Sequence, residues 1–375
     1  MLDVAFRLLF FSRAKLAITV AGVAFAVTLV MVQVGLFRGL LSNATVTIEQ
    51  ADADVWITSH NTPNVDFPQY FPDTYVDRVR SVPGVARADN LLVGYTQVQL
   101  PTGAQEMLIV YGVDHPETWR LPWKLQEGTA DELRGGHFMV LDASAARRFG
   151  PFALGEHREL LGQRFEVVGK SEDALSFTTV PLAFMSFQKA QDLQPFVFRN
   201  RTAYVLVKLR SDADRAEVTA QLRRALPYSD VYLREDWATK TRDYWVVSTG
   251  LGLNTGLTVF LGVLVGITVV AQTLYMSTLD YIKEFGTLKA MGAENAHIYK
   301  VVGGQGLFAA LFGYVLAIPP TLALRALARL ASLHLDISAT FALSVLAGTV
   351  VLCLGASALT FRRIAHIDPA LVFRG

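Results

Sequence analysis

Along the 375 residues, apolar positions cluster into four long stretches without Asp, Glu, Lys, Arg or His: 16–37, 244–279, 301–324 and 337–361. Each exceeds the roughly 20 apolar residues that a helix needs to cross a hydrocarbon core of about 30 Å. The pattern therefore predicts four membrane-spanning helices. Between the first two stretches the pattern changes. Residues 55–58, 96–100, 106–113, 165–169 and 203–209 read as strands, and 74–80 and 212–226 as amphipathic helices, the latter opening at Ser211 and closing before Pro227. Turns are expected at 82–85 and 101–103. Strands and helices in mixed order predict a large α+β domain, in two lobes divided within 116–200.

The expected organisation is a cytoplasmic segment 1–15, a first span 16–40, an extracytoplasmic α+β domain 41–243, and a stalk with the second span over 244–279. A cytoplasmic segment 280–297 follows, then a third span 298–324, a short external loop 325–336, a fourth span 337–361 and a cytoplasmic tail 362–375. The first span reads as a retained anchor. It follows basic residues (Arg7, Arg13, Lys15), exceeds the 7–15 residues of a signal-peptide core, and lacks a small-residue cleavage site. The 36-residue run 244–279 would be about 54 Å long as continuous helix, more than a bilayer requires. Its start, with Tyr244 and Trp245 at the outer interface, is expected to form a stalk rooted in the external domain.

Composition agrees with this division. Apolar residues make up 52% of the chain and charged residues 18%, against about 25% charged in soluble domains. Residues 38–243 hold 27 of the 33 acids and 23 of the 34 bases. That segment is slightly acidic, which argues against nucleic-acid binding. Short connections carry the orientation signal. Arg7, Arg13, Lys15, Lys283, Lys289, Lys300, Arg362, Arg363 and Arg374 lie on one side, against Arg38, Arg325 and Arg329 on the other. Both termini and the 280–297 segment are thus expected in the cytoplasm, and the large domain outside, in the periplasm of a Gram-negative cell.

Candidate chemistry is sparse. Gly169-Lys170-Ser171 ends like a phosphate loop, but Arg164 stands where its first glycine is needed. The seven histidines include no pair at metal-ligand spacing, Cys353 is the single cysteine, and no nucleophile elbow occurs. No catalytic, cofactor or metal site is expected in this chain. The spans lack the buried Asp, Glu or His on which ion-driven transporters depend, so energy should enter from outside the chain. They carry glycines instead. Gly252 and Gly256, then Gly262 and Gly266, are four apart and suit close helix packing, within the four-helix set or across a homodimer seam. The aromatic, proline-rich run 63–72 reads as a loop that packs in its own domain or meets a partner or lipid.

After the second span, Phe285, Leu288 and Met291 fall at helical spacing and Gly292 ends the helix, which predicts a short amphipathic cytoplasmic helix. This segment resembles the cytoplasmic signature of the FtsX/MacB-type permeases of ABC transporters. That pattern has an acidic residue before Gly and then Leu-Lys-Ala-Leu/Met-Gly-Ala. Glu284, Gly286, Leu288, Lys289, Ala290, Met291, Gly292 and Ala293 match it. The layout of one span, a large domain and three spans is similar to the family's, as is the ending 367–374, where Asp368 can cap a helix opened by Pro369. The start, 15–26 and 33–37, looks like the DevC branch of glycolipid exporters.

The resemblance implies a non-enzymatic, dimerising type VII permease of the inner membrane. Segment 280–297, with Tyr281, Glu284, Phe285, Gly286, Leu288, Lys289, Met291 and Gly292, would contact a separate ATPase subunit that holds ATP and Mg. ATP-driven motion would then pass to the external domain by mechanotransmission, exporting a lipid, glycolipid or other hydrophobic substrate. A periplasmic adaptor (membrane fusion protein), an outer-membrane channel and membrane lipids are the further partners implied. The alternative is a signalling scaffold of the FtsX type that regulates a periplasmic hydrolase without transport.

Overall fold

The computed structural model describes residues 13–280, 295–331 and 333–364. The chain forms two compact units, Leu40–Gly252 and the combination of Met1–Gly39 with Leu253–Gly375. Helix α1 (Arg13–Gln50) is continuous over 38 residues. Its first part is rich in β-branched residues (Ile18, Val20, Val23, Val27, Val30) that favour strands in water. In hydrocarbon the backbone must satisfy its own hydrogen bonds, which makes helix the form a single segment can adopt.

The Leu40–Gly252 unit is built on one mixed sheet. Its strands are β1 (Val55–Ser59), β3 (Val85–Gln99), β4 (Gln105–Val113), β5 (Leu125–Glu127), β6 (Phe138–Asp142), β7 (His157–Leu160), β8 (Gln163–Ser171), β9 (Leu182–Ser186), β11 (Tyr204–Leu209) and β12 (Ser229–Leu233). The order is β12-β1-β11-β3-β4-β9-β6-β8-β5, with β7 against β3 and β8. A separate pair joins β2 (Phe71–Pro72) to β10 (Arg201–Thr202). The α-helices of six or more residues that pack on it are α2 (Tyr75–Arg80), α3 (Phe187–Leu193), α4 (Arg215–Ala225) and α5 (Arg234–Asp243). Pairs β4–β9 and β6–β8 are parallel.

Side chains alternate across the sheet, as strand geometry requires. On one face Val55 and Ile57 of β1 join Val205 and Val207 of β11 beneath Val76, Val79, Val218 and Leu222 of α2 and α4. On the other, Trp56, Tyr204 and Leu206 pack with Trp237 of α5 and with Ile48 and Ala51 at the end of α1. A third cluster fills the space between β4, β6, β8, β9 and α3. There α3 approaches closely because a Cβ on Gly112 would lie 2.3 Å from Ala190 Cβ.

All five expected strands are present, but β3 begins eleven residues before 96, at Val85. Asp89, Asn90 and Gly94 disguise its first half, because each disfavours strand. The 116–200 region does not divide the domain into two lobes, since its strands β5 to β9 extend the same sheet. Asp214, not Ser211, caps α4, its carboxylate accepting from the Ala216 amide at 2.8 Å.

The other unit contains α6 (Leu251–Asp280), α7 (Asn295–Leu330) and α8 (Ala339–Ile364) with the first part of α1. Among the described residues, these helices and α1 are the four long and apolar enough to cross a membrane. The run 244–279 is not one helix. A turn of π-helix, Tyr244–Ser248, follows α5, and Gly250 at φ +72° breaks the chain before α6. In the other direction, α7 passes through Pro319 and Pro320 and ends at Leu330. The expected 325–336 loop thus starts later. Arg38 pairs with Asp336 at 3.0 Å, and Gly39 meets the His334 carbonyl so closely that a Cβ would lie 1.8 Å from it.

Candidate transmission elements

Tyr281, Glu284, Phe285, Gly286, Leu288, Lys289, Met291 and Gly292, the residues expected to meet an ATPase, lie outside the described residues. Immediately before them, Asp280 ends α6 and accepts from the Lys15 ammonium of α1.

The four span glycines divide by environment. A Cβ on Gly262 would come 2.8 Å from Leu29 Cδ2, and one on Gly266 would come 2.9 Å from Ala26 Cβ, so both face α1 within the chain. Gly252 lies against the Val246 carbonyl, 2.7 Å from an added Cβ, and Gly256 faces open space. The third span's glycines, also noted from sequence, include two close seats, Gly313 on Val23 and Gly306 on Ser357, and Gly22 of the first span sits on Val269.

The last turns of α1 are fastened into the Leu40–Gly252 unit. Ile48 is fully buried, and Thr47 shares a 3.2 Å hydrogen bond with the Tyr111 hydroxyl of β4. Glu49 accepts from Thr45 at 2.8 Å and from Arg242 of α5 at 3.1 Å. Just past the helix, the Asp52 amide donates to the Trp119 carbonyl, and Lys208 donates to the Asp52 carboxylate at 2.6 Å. That bond is the main reason the Asp52 carboxyl titrates below its ordinary value.

The chain leaves the same unit through an aromatic clamp. Trp245, in the π-turn, stacks on Phe177 with ring centroids 3.7 Å apart and an interplanar angle of 12°. Phe67 packs against Trp245 at 5.7 Å and Tyr244 at 6.1 Å. The loop that presents Phe67 is shaped by Asn64, whose side-chain oxygen accepts from the Asp66 and Phe67 amides at 2.9 Å each. The 63–72 aromatics therefore pack into their own domain; Tyr70 also donates to the Val93 carbonyl at 3.0 Å.

Asp66 lies beneath this clamp at 3% exposure, with one carboxylate oxygen buried and unpartnered. Burial pushes its carboxyl up to about 7, outweighing the opposing hydrogen bond from the Phe177 backbone. The groups near it are the hydroxyls of Tyr95, Tyr111 and Tyr204. Nothing in the sequence distinguishes this aspartate from the surface acids around it.

Two family models match the chain, the MacB-like periplasmic core domain over residues 16–225 and the FtsX-like permease C-terminal region over residues 256–369. An uncharacterised ABC transporter permease of Mycobacterium tuberculosis is 23% identical over 385 residues, covering 100% of both chains. One from Methanocaldococcus jannaschii is 23% identical over 260 residues, covering 64% of this chain and 63% of that protein. Among solved structures, the periplasmic region of MacB from Actinobacillus actinomycetemcomitans covers 50% of this chain and 92% of its own, at 12% identity and a TM-score of 0.40.

Proposed function

Since the chain belongs to the FtsX/MacB-type permeases of ABC transporters, we propose that it exports a lipid, glycolipid or other hydrophobic substrate by mechanotransmission. In this reading a separate subunit binds and hydrolyses ATP with Mg and docks on segment 280–297 in the cytoplasm. The chain acts as a homodimer in the inner membrane, with both termini cytoplasmic and the large domain in the periplasm. A periplasmic adaptor and an outer-membrane channel complete the path, as in the DevC branch.

One observation carries the reading furthest. Helix α1 is unbroken from Arg13 to Gln50, and its last turn is held in the soluble unit by Thr47, Ile48 and Glu49. A continuous helix resists bending and shortening, so displacement at one end reaches the other. The charge-free stretches also place no Asp, Glu, Lys, Arg or His at membrane depth to bind a coupling ion.

Purification in mild detergent, followed by identification of co-purifying proteins, tests this function. An ATPase together with an adaptor is the expected result. A cell-wall hydrolase with no adaptor would replace export by signalling. Glu284→Lys and Gly286→Trp should abolish ATPase capture while expression persists. Normal capture and activity in both would remove the docking assignment.

A further inference from the structure

We propose that the soluble unit carries a binding site for an oxyanion, the phosphate or carboxylate group of a solute or lipid headgroup, in the pocket walled by Arg80, Arg87, His115 and Thr118. The assignment is independent of the export reading. The pocket, about 470 Å³ in volume, opens along Ala86–Asp89. There β3 pairs with β11, but β4 joins it only from Leu91 onward, so the turn after β4 covers the strand instead.

The charges in this wall are unequal. Among the described residues, Asp89 is its one carboxylate, and it is 4% exposed and already engaged. It accepts from Arg80 Nη2 at 2.7 Å and from the Trp119 indole at 2.9 Å. Arg87 Nε and His115 Nδ1 stay 3.9 Å and 3.7 Å from it, beyond hydrogen-bond reach. Asp77, which pairs with Arg80 at 3.3 Å, and Asp114 are near but do not line the pocket.

Both guanidinium groups are positioned before any ligand arrives. Arg87 lies 4.3 Å over the Trp119 ring, and its Nη2 donates to the Thr118 carbonyl at 2.8 Å. Its Nε is buried without a hydrogen-bond partner. Arg80 is fixed through Nε to the Ala88 carbonyl at 2.8 Å. Planar guanidinium donors held in a fixed fork suit carboxylate and phosphate oxygens. The covering turn is held in an uncommon shape, with His115 at φ 51° and Arg120 at φ 55°. Left-handed non-glycine residues of this kind concentrate at ligand clamps. Thr118 Oγ1 donates to the His115 carbonyl at 2.7 Å and braces the turn.

The pocket is also wired to the end of α1. The Trp119 carbonyl accepts from the Asp52 amide, two residues past that helix. After Lys208, Arg120 and Arg87 further help to hold the Asp52 carboxyl low. An oxyanion on Arg87 would therefore act on the segment where α1 ends.

The test is isothermal titration of the full chain in detergent with inorganic phosphate, citrate and dihexanoyl phosphatidic acid. Saturable binding is expected, weakened roughly tenfold or more by Arg87→Gln, as loss of a charge-assisted bond predicts. His115→Ala, at the exposed rim, should also weaken it, and Arg78→Ala should not. Ligand-free melting curves identify any variant that fails to fold, and the rim variant then carries the test. Binding confined to phosphatidic acid would assign a lipid headgroup, and binding confined to phosphate or citrate a solute. Either sustains the site. No saturable binding of any probe, or wild-type affinity in both Arg87→Gln and His115→Ala, overturns it.

Discussion

Asp66 titrates where no surface carboxylate does, because folding removes it from water without supplying a cation. In the folded chain its carboxyl holds a proton up to about pH 7, whereas an aspartate in water titrates near 3.8. The folded state therefore binds more protons between these values, and stability falls as pH rises through that window. The full difference is worth about 4 kcal/mol above pH 7. Asp66→Asn replaces the carboxyl with a group that never ionises. Its stability relative to wild type should rise steadily from pH 4 to pH 8, read by tryptophan-monitored unfolding of the full chain. Parallel pH profiles for the two proteins would show that Asp66 is ionised in the fold or solvated there. Sequence could not identify this residue, since 63–72 reads as a proline- and aromatic-rich loop and burial depends on strands distant in sequence. The Arg80–Arg87–His115 pocket was hidden for the same reason. Its members come from α2, β3 and the turn after β4.

At the scale of elements, the spans were the most legible part of the chain, because absence of charge over 20 or more residues survives any local detail. Their packing was not. The glycine spacing was compatible with either an internal contact or a dimer seam, and the two glycine pairs behave differently. Gly266 faces Ala26 Cβ, which cannot rotate away, whereas Gly262 faces the flexible end of Leu29. Gly256 faces nothing within 4 Å. Gly266→Leu should therefore destabilise the chain by about 1–3 kcal/mol, the usual cost of overpacking. Gly262→Ala should be milder, and Gly256→Leu should leave the protomer's melting unchanged. Thermal melting in detergent ranks the three. A Gly266→Leu protein that melts like wild type would mean that α1 and α6 do not pack as described. If Gly256→Leu melts normally but separates dimers on size-exclusion chromatography, the seam lies at that glycine. The break at Gly250 was illegible for a different reason. Glycines are tolerated within apolar helices, as Gly252 and Gly256 are, and only the positive φ reveals that Gly250 ends one.

At the scale of the whole molecule, the two routes of the chain through the soluble unit differ in kind. The α1 route is an unbroken helix, whereas the α6 route contains a π-turn and a glycine in the left-handed region, both features of hinges. A hinge transmits motion only if something stiffens it, and the Phe67–Trp245–Phe177 stack is placed to do so. Under the proposed function, the clamp would act separately from the docking proposed for segment 280–297. A defect in the segment should prevent ATPase capture. A defect in the clamp should leave capture and hydrolysis intact while work on the substrate is lost. Phe67→Ala combined with Trp245→Leu tests the distinction. Phe67 is 40% exposed and leucine retains much of the apolar volume at 245, so the fold should survive. The measurement is ATP hydrolysed per substrate moved, in vesicles containing the permease and its ATPase. Hydrolysis should stay near wild type while transport falls roughly tenfold, equivalent to about 1.4 kcal/mol of lost coupling. An unchanged ratio would relieve the clamp of any role in transmission and leave α1 as the sole mechanical route. Loss of hydrolysis along with transport would instead mean that the clamp supports assembly with the ATPase, as the coupling segment is proposed to do.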